Sequence, residues 1–301
     1  MPGTDSSSKR SCDLIALDLD GTLLDPSGRV SDANIAAIER ARAEGARVLV
    51  ATGRGLVESE KILRRIDQRD PVIVAGGALT ADPVTKRSID RVPMQPGLVR
   101  HAVEEIHHAK HAALILKDPT EAGYDYLVLA GDHDADPDPV TVMWFEMTGV
   151  TVRYAARLED DEHPELTVRV GMGAHPSEAG PIADQLRSAF AGEATFHQFT
   201  TTEGPAFKSG GRSVQILEVF DSTANKWTAL SRQAERFGVR PERICAIGDE
   251  INDESMIAGA GIGIAMGNAV DTIKRLAKYE TRPNAEDGVA HAIDRVLAGE
   301  W

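Results

Sequence analysis

Apolar and polar positions follow two rhythms along the 301 residues of this chain. In the first, short and wholly apolar runs end in polar, glycine-containing turns and are separated by helical patterns. Leu14-Ile15-Ala16-Leu17 begins such a run, a strand over 13 to 18. A helical pattern follows from Ser31 and Asp32 to about Glu44, with Ile35 and Ile38 on one face and Gly45 as its stop. Arg47-Val48-Leu49-Val50-Ala51 forms a second strand, a helix runs through Leu63 and Ile66, and 71 to 75 forms a third strand ending at Gly76-Gly77. Continuous apolar strands alternating with helices predict a parallel α/β sheet, because strands covered on both faces lose the polar alternation of half-exposed ones.

The rhythm changes after about residue 79. Extended stretches are expected over 84 to 92, 113 to 117, 126 to 130, 151 to 154, 166 to 170 and 195 to 199. Helices are expected over 96 to 110 and 177 to 190, and the pattern over 140 to 148 is ambiguous. Strands outnumber helices and lack the acid-tipped ends of the first rhythm, which predicts an inserted α+β domain over 80 to 212. Its hinges fall near 79 to 83 and 203 to 212, where Gly204, Gly210 and Gly211 lie. The α/β core then comprises 13 to 79 and 213 to 301, resuming at Ser213-Val214-Gln215-Ile216-Leu217, and residues 1 to 12 form a disordered tail.

Composition narrows the classes. With 42% hydrophobic residues the chain has enough apolar material for real cores. No run approaches the ~20 apolar residues that span a bilayer, and the start lacks the apolar centre of a signal peptide, so a soluble cytoplasmic protein with no membrane partner is expected. The net charge of −14 and the absence of a basic cluster argue against a nucleic-acid partner. Cys12 and Cys245 are too few for a disulfide framework and lack metal-ligand spacing, so both are read as reduced, buried and structural.

Chemistry concentrates at the ends of the apolar runs. Asp18-Leu19-Asp20-Gly21-Thr22 places two carboxylates at a strand end, on the edge of a parallel sheet where ligands bind. Asp and Gly are common turn residues, so the motif gains weight only from distant partners. Thr52, in Ala51-Thr52-Gly53-Arg54, offers a small hydroxyl to a phosphoryl oxygen, and Arg54 either orients a substrate or pairs with an acid. Lys226 stands at the start of a helix over 227 to 237, the end where the macrodipole disfavours a cation, and its placement calls for an anionic partner. Gly248-Asp249-Glu250-Ile251-Asn252-Asp253 follows the strand 244 to 247 and adds two carboxylates, with Asn252 able to bind phosphate or hold a metal's surroundings. Hard oxygen donors without soft ones favour Mg2+. His107 and His111 have i, i+4 spacing but no third ligand, and a solvated face is the preferred reading. Asp132-His133-Asp134-Ala135-Asp136-Pro137-Asp138 mimics a calcium loop but has Pro137 in place of the turn glycine, and reads as a charged surface loop.

Together these motifs resemble the haloacid dehalogenase (HAD) superfamily of phosphohydrolases, specifically its Cof-type (type 3) members. Gly263-Ile264-Ala265-Met266-Gly267-Asn268 and Asn284-Ala285-Glu286-Asp287-Gly288 resemble the same family's carboxyl-terminal segment. The resemblance implies a Rossmannoid parallel-sheet core with an inserted C2-type α+β cap. It implies that Asp18 attacks phosphorus to give an aspartyl-phosphate, and that Asp20 protonates the leaving alcohol and then deprotonates the hydrolytic water. Mg2+ would be held by Asp18, Asp249 and the backbone carbonyl of Asp20, with Asp253 nearby, while Thr52, Lys226 and Asn252 hold the transferred group. The acid at position 20 favours phosphate esters over organohalides, which have no alkoxide to protonate. Two departures stand out: Trp227 follows the lysine where relatives commonly have Gly, so its ring narrows the site or lies against the cap, and Gly76 stands where relatives usually have Asn. The expected function is that of a Mg2+-dependent phosphatase acting on a small phosphorylated metabolite such as a sugar phosphate. The alternatives are a phosphomutase using the same intermediate and a non-catalytic metabolite-binding regulator.

Overall fold

The computed structural model describes residues 11 to 131, 135 to 201 and 213 to 301. Most of the expected tail, the whole of the second hinge at 203 to 212 and the first three residues of the acidic loop at 132 to 138 lie outside the described residues. Residues 11 and 12, expected in the tail, belong to the fold: the Ser11 hydroxyl donates to the Val296 carbonyl at 2.7 Å and Cys12 is buried. They lead directly into the first strand, which the polar stretch before them conceals.

In chain order the elements are β1 (Leu14–Leu17), α1 (Asp32–Ala43), β2 (Arg47–Ala51), α2 (Leu56–Arg65), β3 (Val72–Val74), β4 (Leu79–Ala81) and β5 (Ser88–Arg91). There follow α3 (Pro96–His108), β6 (Ala113–Lys117), α4 (Pro119–Ala122), β7 (Tyr126–Leu129), α5 (Pro139–Thr148), β8 (Val152–Ala155), β9 (Thr167–Ala174), α6 (Pro176–Ala189), β10 (Ala194–Thr201) and β11 (Val214–Asp221). The chain ends with α7 (Lys226–Arg236), β12 (Ile244–Gly248), α8 (Glu254–Gly259), β13 (Ile262–Ala265), α9 (Asp271–Leu276), β14 (Tyr279–Glu280) and α10 (Gly288–Leu297). They divide into two compact units, one of Met1–Thr52, Ile62–Ile73 and Lys226–Trp301 and the other of Gly53–Lys61 and Val74–Asn225.

In the first unit the strands run in the order β14, β13, β12, β1, β2, β3, and their pairings are parallel. The register sets Leu17 opposite Ile247 and Val50, so the loops after β1, β2 and β12 leave the sheet at one edge. β1 is buried along its whole length, as its run of four apolar residues requires. α1 starts where the sequence indicates, with the Ser31 side chain accepting from the Asn34 N–H at 3.1 Å.

The second unit is an α+β body whose main sheet runs β10, β11, β9, β6, β7, β8. Its pairings are antiparallel except for β7 with β8. Ile115, Val170, Met172, Leu217 and Val219 share one core with α3 and α6, while Leu114, Leu116, Val128 and Val168 share another with Phe145 of α5 and Phe220. Covering on both sides explains why these strands read as apolar runs instead of alternating. The ambiguous stretch is the helix α5, capped by Asp138, whose side chain accepts from the Val140 N–H at 2.8 Å. The single extended stretch expected at 84 to 92 is the end of the β4–β5 hairpin, with Val84 in the turn, where Asp82 accepts from the N–H groups of Val84 and Thr85. Val214–Asp221 was expected to resume the core; it pairs instead with β9 and β10 of the second unit. An apolar strand declares its burial but not the sheet it joins.

Both cysteines are buried and neither is in a disulfide. His107 and His111 do not form the solvated face expected of them: both are partly buried, with a His107 ring nitrogen 3.1 Å from the Leu129 carbonyl oxygen and its ring against Gly131, while His111 sits 3.8 Å from Glu178.

Candidate active site

β1 delivers Asp18 to the sheet edge, where its N–H donates to the Ile247 carbonyl of β12 at 3.1 Å. The chain then turns through Gly21, whose φ of +76° is a left-handed conformation that L side chains rarely adopt. A Cβ at this position would also collide with the Asp249 carboxylate, so glycine is required twice over. The turn brings the Thr22 hydroxyl to Asp249, donating to Oδ1 at 2.8 Å.

The loop after β12 is organised by Asp253. One of its carboxylate oxygens accepts from the N–H groups of Asp249 at 2.9 Å and Glu250 at 3.2 Å, and the other from the Lys226 ammonium at 2.6 Å. Lys226 is the first residue of α7 and is fully buried; it also donates to Asp18 at 2.6 Å. The anionic partner that its position at a helix start demands is thus a pair of carboxylates from two loops. Burial opposes the charge on Lys226, but Asp18 and Asp253 outweigh it and raise its pKa, so the ammonium stays protonated.

Negative charge nevertheless exceeds positive. Asp18, Asp249 and Asp253 each place a potential ligand oxygen within 4.8 Å of the others. Burial is the largest influence raising the Asp18 pKa; Lys226 opposes it, and Asp253, Asp249 and Asp20 add to it. Burial and then Asp253 push Asp249 up to about 7, against the hydrogen bond from Thr22 and the charge of Lys226. Three hard carboxylates facing one ammonium form a donor set that fits a divalent cation such as Mg2+.

Of the residues singled out from sequence, the structure therefore brings together Asp18, Lys226, Asp249 and Asp253. The Asp20 side chain is exposed and is not part of the acidic trio; its expected share in metal binding was through its backbone carbonyl. Thr52 is fully buried at the end of β2, its N–H donating to the Ile73 carbonyl at 2.9 Å. Asn252 lies within the Asp249–Asp253 loop, and its buried amide oxygen has no hydrogen-bond partner among the described residues. Arg54 belongs to the second unit, its guanidinium carbon 4.8 Å from the centre of the Trp144 ring. The Trp227 ring lies over Gly259 of α8 within the first unit, where a Cβ would clash with it. Gly76 has φ +62°, and a Cβ there would come 3.1 Å from the His197 ring and 3.3 Å from that of Phe220. A side chain there would press on both rings.

Two contributors escaped the sequence reading. Thr22 binds Asp249, and Asn268 donates to the Gly21 carbonyl at 2.8 Å while its own side-chain oxygen accepts from the Asn284 N–H at 2.8 Å. Both sit inside motifs noticed for other residues; their partners are 227 and 247 positions away and carry no local signal.

A model of the haloacid dehalogenase-like hydrolase family matches residues 15 to 293. The chain belongs to that family. It is 29% identical to the 5-amino-6-(5-phospho-D-ribitylamino)uracil phosphatase YitU of Bacillus subtilis, over 93% of this chain and 96% of the relative. It is 28% identical to the phosphatase YwpJ of the same organism, over 94% and 99%. Among solved structures, a haloacid dehalogenase-like hydrolase from Bacteroides thetaiotaomicron superposes with a TM-score of 0.75 at 25% identity, over 95% of this chain and 99% of that one. The chain is accordingly an enzyme of the HAD hydrolase superfamily with the α/β fold and inserted cap of its phosphatases. Among the described residues, no helix is long and apolar enough to cross a membrane.

Proposed function

We propose that this HAD hydrolase is a Mg2+-dependent phosphatase that hydrolyses a small phosphorylated metabolite through an aspartyl-phosphate on Asp18. The observation that carries the reading is the Lys226 ammonium held at 2.6 Å from both Asp18 and Asp253, beside Asp249. A buried nucleophile, a fixed cation and surplus carboxylates are what phosphoryl transfer needs, since positioning and charge stabilisation supply most of its catalysis. The phosphatase relatives support a phosphate ester as the substrate class, and the ribityl phosphate named for one of them supports a polyol or sugar-like leaving group.

In this reading an Asp18 oxygen forms the new bond to phosphorus as the ester oxygen departs, and Asp20 gives that oxygen its proton. Asp20 then takes a proton from water as the water attacks phosphorus, and Asp18 is released as a carboxylate. Lys226 steadies Asp18 and the transferred group, Thr52 and Asn252 hydrogen-bond the phosphoryl oxygens, and Arg54 binds the remainder of the substrate. Asp18, Asp249 and the Asp20 carbonyl, with Asp253 behind them, would hold Mg2+, which supplies positive charge to the phosphoryl oxygens. The second unit is read as the cap that selects the leaving group, and two reduced, buried cysteines accord with a cytoplasmic setting.

Product analysis tests the reading. One inorganic phosphate and one free alcohol should appear per ester consumed. An isomeric phosphate ester without phosphate release would make the protein a mutase, and tight metabolite binding without any product would make it a regulator.

A further inference from the structure

The second unit contains a buried polar chain that the proposed chemistry does not use. Arg169 of β9 donates to the Gly53 carbonyl at 2.9 Å, pairs with Glu218 of β11 at 2.6 Å and donates to the Tyr126 hydroxyl. Tyr126 in turn donates to Glu58 at 2.8 Å, and the Trp144 indole N–H donates to the same Glu58 oxygen at 3.0 Å. The other Glu58 oxygen accepts from the Gly55 N–H at 2.5 Å. The Arg54 guanidinium then stacks on the Trp144 ring that Glu58 holds.

Such a chain is a poor source of stability, because a buried ion pair recovers little more than its own desolvation cost. What it does is fix geometry. Its ends grip the backbone on both sides of Arg54, at Gly53 and Gly55, and its middle sets the plane of the ring beneath the guanidinium. Arg54 is two residues beyond Thr52, so covalent geometry alone keeps their Cα atoms within about 7 Å. In the proposed reading Thr52 binds the transferred phosphoryl group, so a cation two residues further along the chain is the natural one to engage oxygens of the leaving group.

We propose that Trp144 and Glu58, backed by Tyr126 and Arg169, are positioning residues that hold Arg54 for recognition of an oxygen-rich or anionic leaving group. The inference rests on the phosphatase reading above. It explains why Glu58 is buried among three donors, and it assigns α5 a share in substrate choice through its indole.

Steady-state kinetics on Arg54→Ala, Trp144→Leu, Trp144→Phe and the Arg54→Ala/Trp144→Leu double variant tests it, with melting temperatures measured alongside. Trp144→Phe keeps the ring packing and loses only the N–H and part of the stacking face, so it serves if the leucine variant does not fold. Loss of a stacked, oriented cation is expected to raise KM about tenfold in Arg54→Ala and Trp144→Leu with kcat within about threefold, as for an interaction shared by ground and transition states. The phenylalanine variant should fall between these and the wild type. The double variant should show no further rise, because Trp144 acts through Arg54. An unchanged KM in folded Trp144 variants, or KM effects that multiply in the double variant, would overturn the inference while leaving an active wild type as a phosphatase. A wild type without turnover would overturn the phosphatase reading and this inference with it.

Discussion

Asp18 and Asp20 are separated by one residue yet occupy different surroundings. Asp18 is 4% exposed and bound by Lys226, whereas Asp20 faces solvent after the turn begins. That contrast suits a nucleophile held in place and an acid/base able to exchange protons with water. Replacing Asp20 with Ala should reduce turnover by ~10²- to 10⁴-fold, with folding intact because the side chain is exposed. Near-normal kcat in that variant would remove Asp20 from the mechanism. At this scale the three clustered aspartates, Asp18, Asp249 and Asp253, and their partner Lys226 were legible, since carboxylates at the ends of apolar runs and a lysine at a helix start are locally anomalous. Thr22 and Asn268 were not, because a hydroxyl or an amide declares itself only through a partner brought by the fold. The role of Trp227 was equally hidden: its packing depends on Gly259, which is distant in sequence.

Among the elements, β1, β2, β3 and β12 of the first unit were the most legible, for a strand buried on both faces must be apolar throughout. The turn within 84 to 92, the helix α5 and the sheet joined by β11 were less so, because each is decided by neighbours that its own sequence does not name. β7 and β8 illustrate a cost within one such arrangement. Asp125, just before β7, is 4% exposed and accepts from the Thr151 N–H at 2.8 Å, tying the two strand starts together. Burial raises its pKa to about 6, against the hydrogen bond from Thr151. The folded state therefore binds this proton more tightly than the unfolded chain, whose carboxyl titrates near 3.8. The contribution of Asp125 to stability accordingly falls as pH rises from about 4 to about 6 and is level above that window. In urea titrations, Asp125→Asn should gain stability relative to wild type as pH rises through the window, since Asn keeps the acceptor and carries no charge. A difference independent of pH would show that Asp125 ionises as readily in the folded protein as in the unfolded one.

For the whole molecule, the loops leaving β1 and β12 and the start of α7 assemble the site of the first unit from positions more than 200 residues apart. The surplus of carboxylate over ammonium makes metal binding and folding stability linked quantities. Mg2+ at about 100 times its dissociation constant should stabilise the folded protein by roughly 2.7 kcal/mol, read as a rise in melting temperature. The rise should shrink in Asp249→Asn, and an equal rise in both proteins would place the ion elsewhere. The central claim, phosphate-ester hydrolysis through Asp18, is tested most directly by phosphate release. The assay would use a panel of phosphorylated metabolites, with and without Mg2+, on wild type and Asp18→Asn. Release by the wild type that requires Mg2+ and vanishes in Asp18→Asn is the predicted result. Undiminished release by Asp18→Asn, or none from the wild type on any ester, would contradict the account.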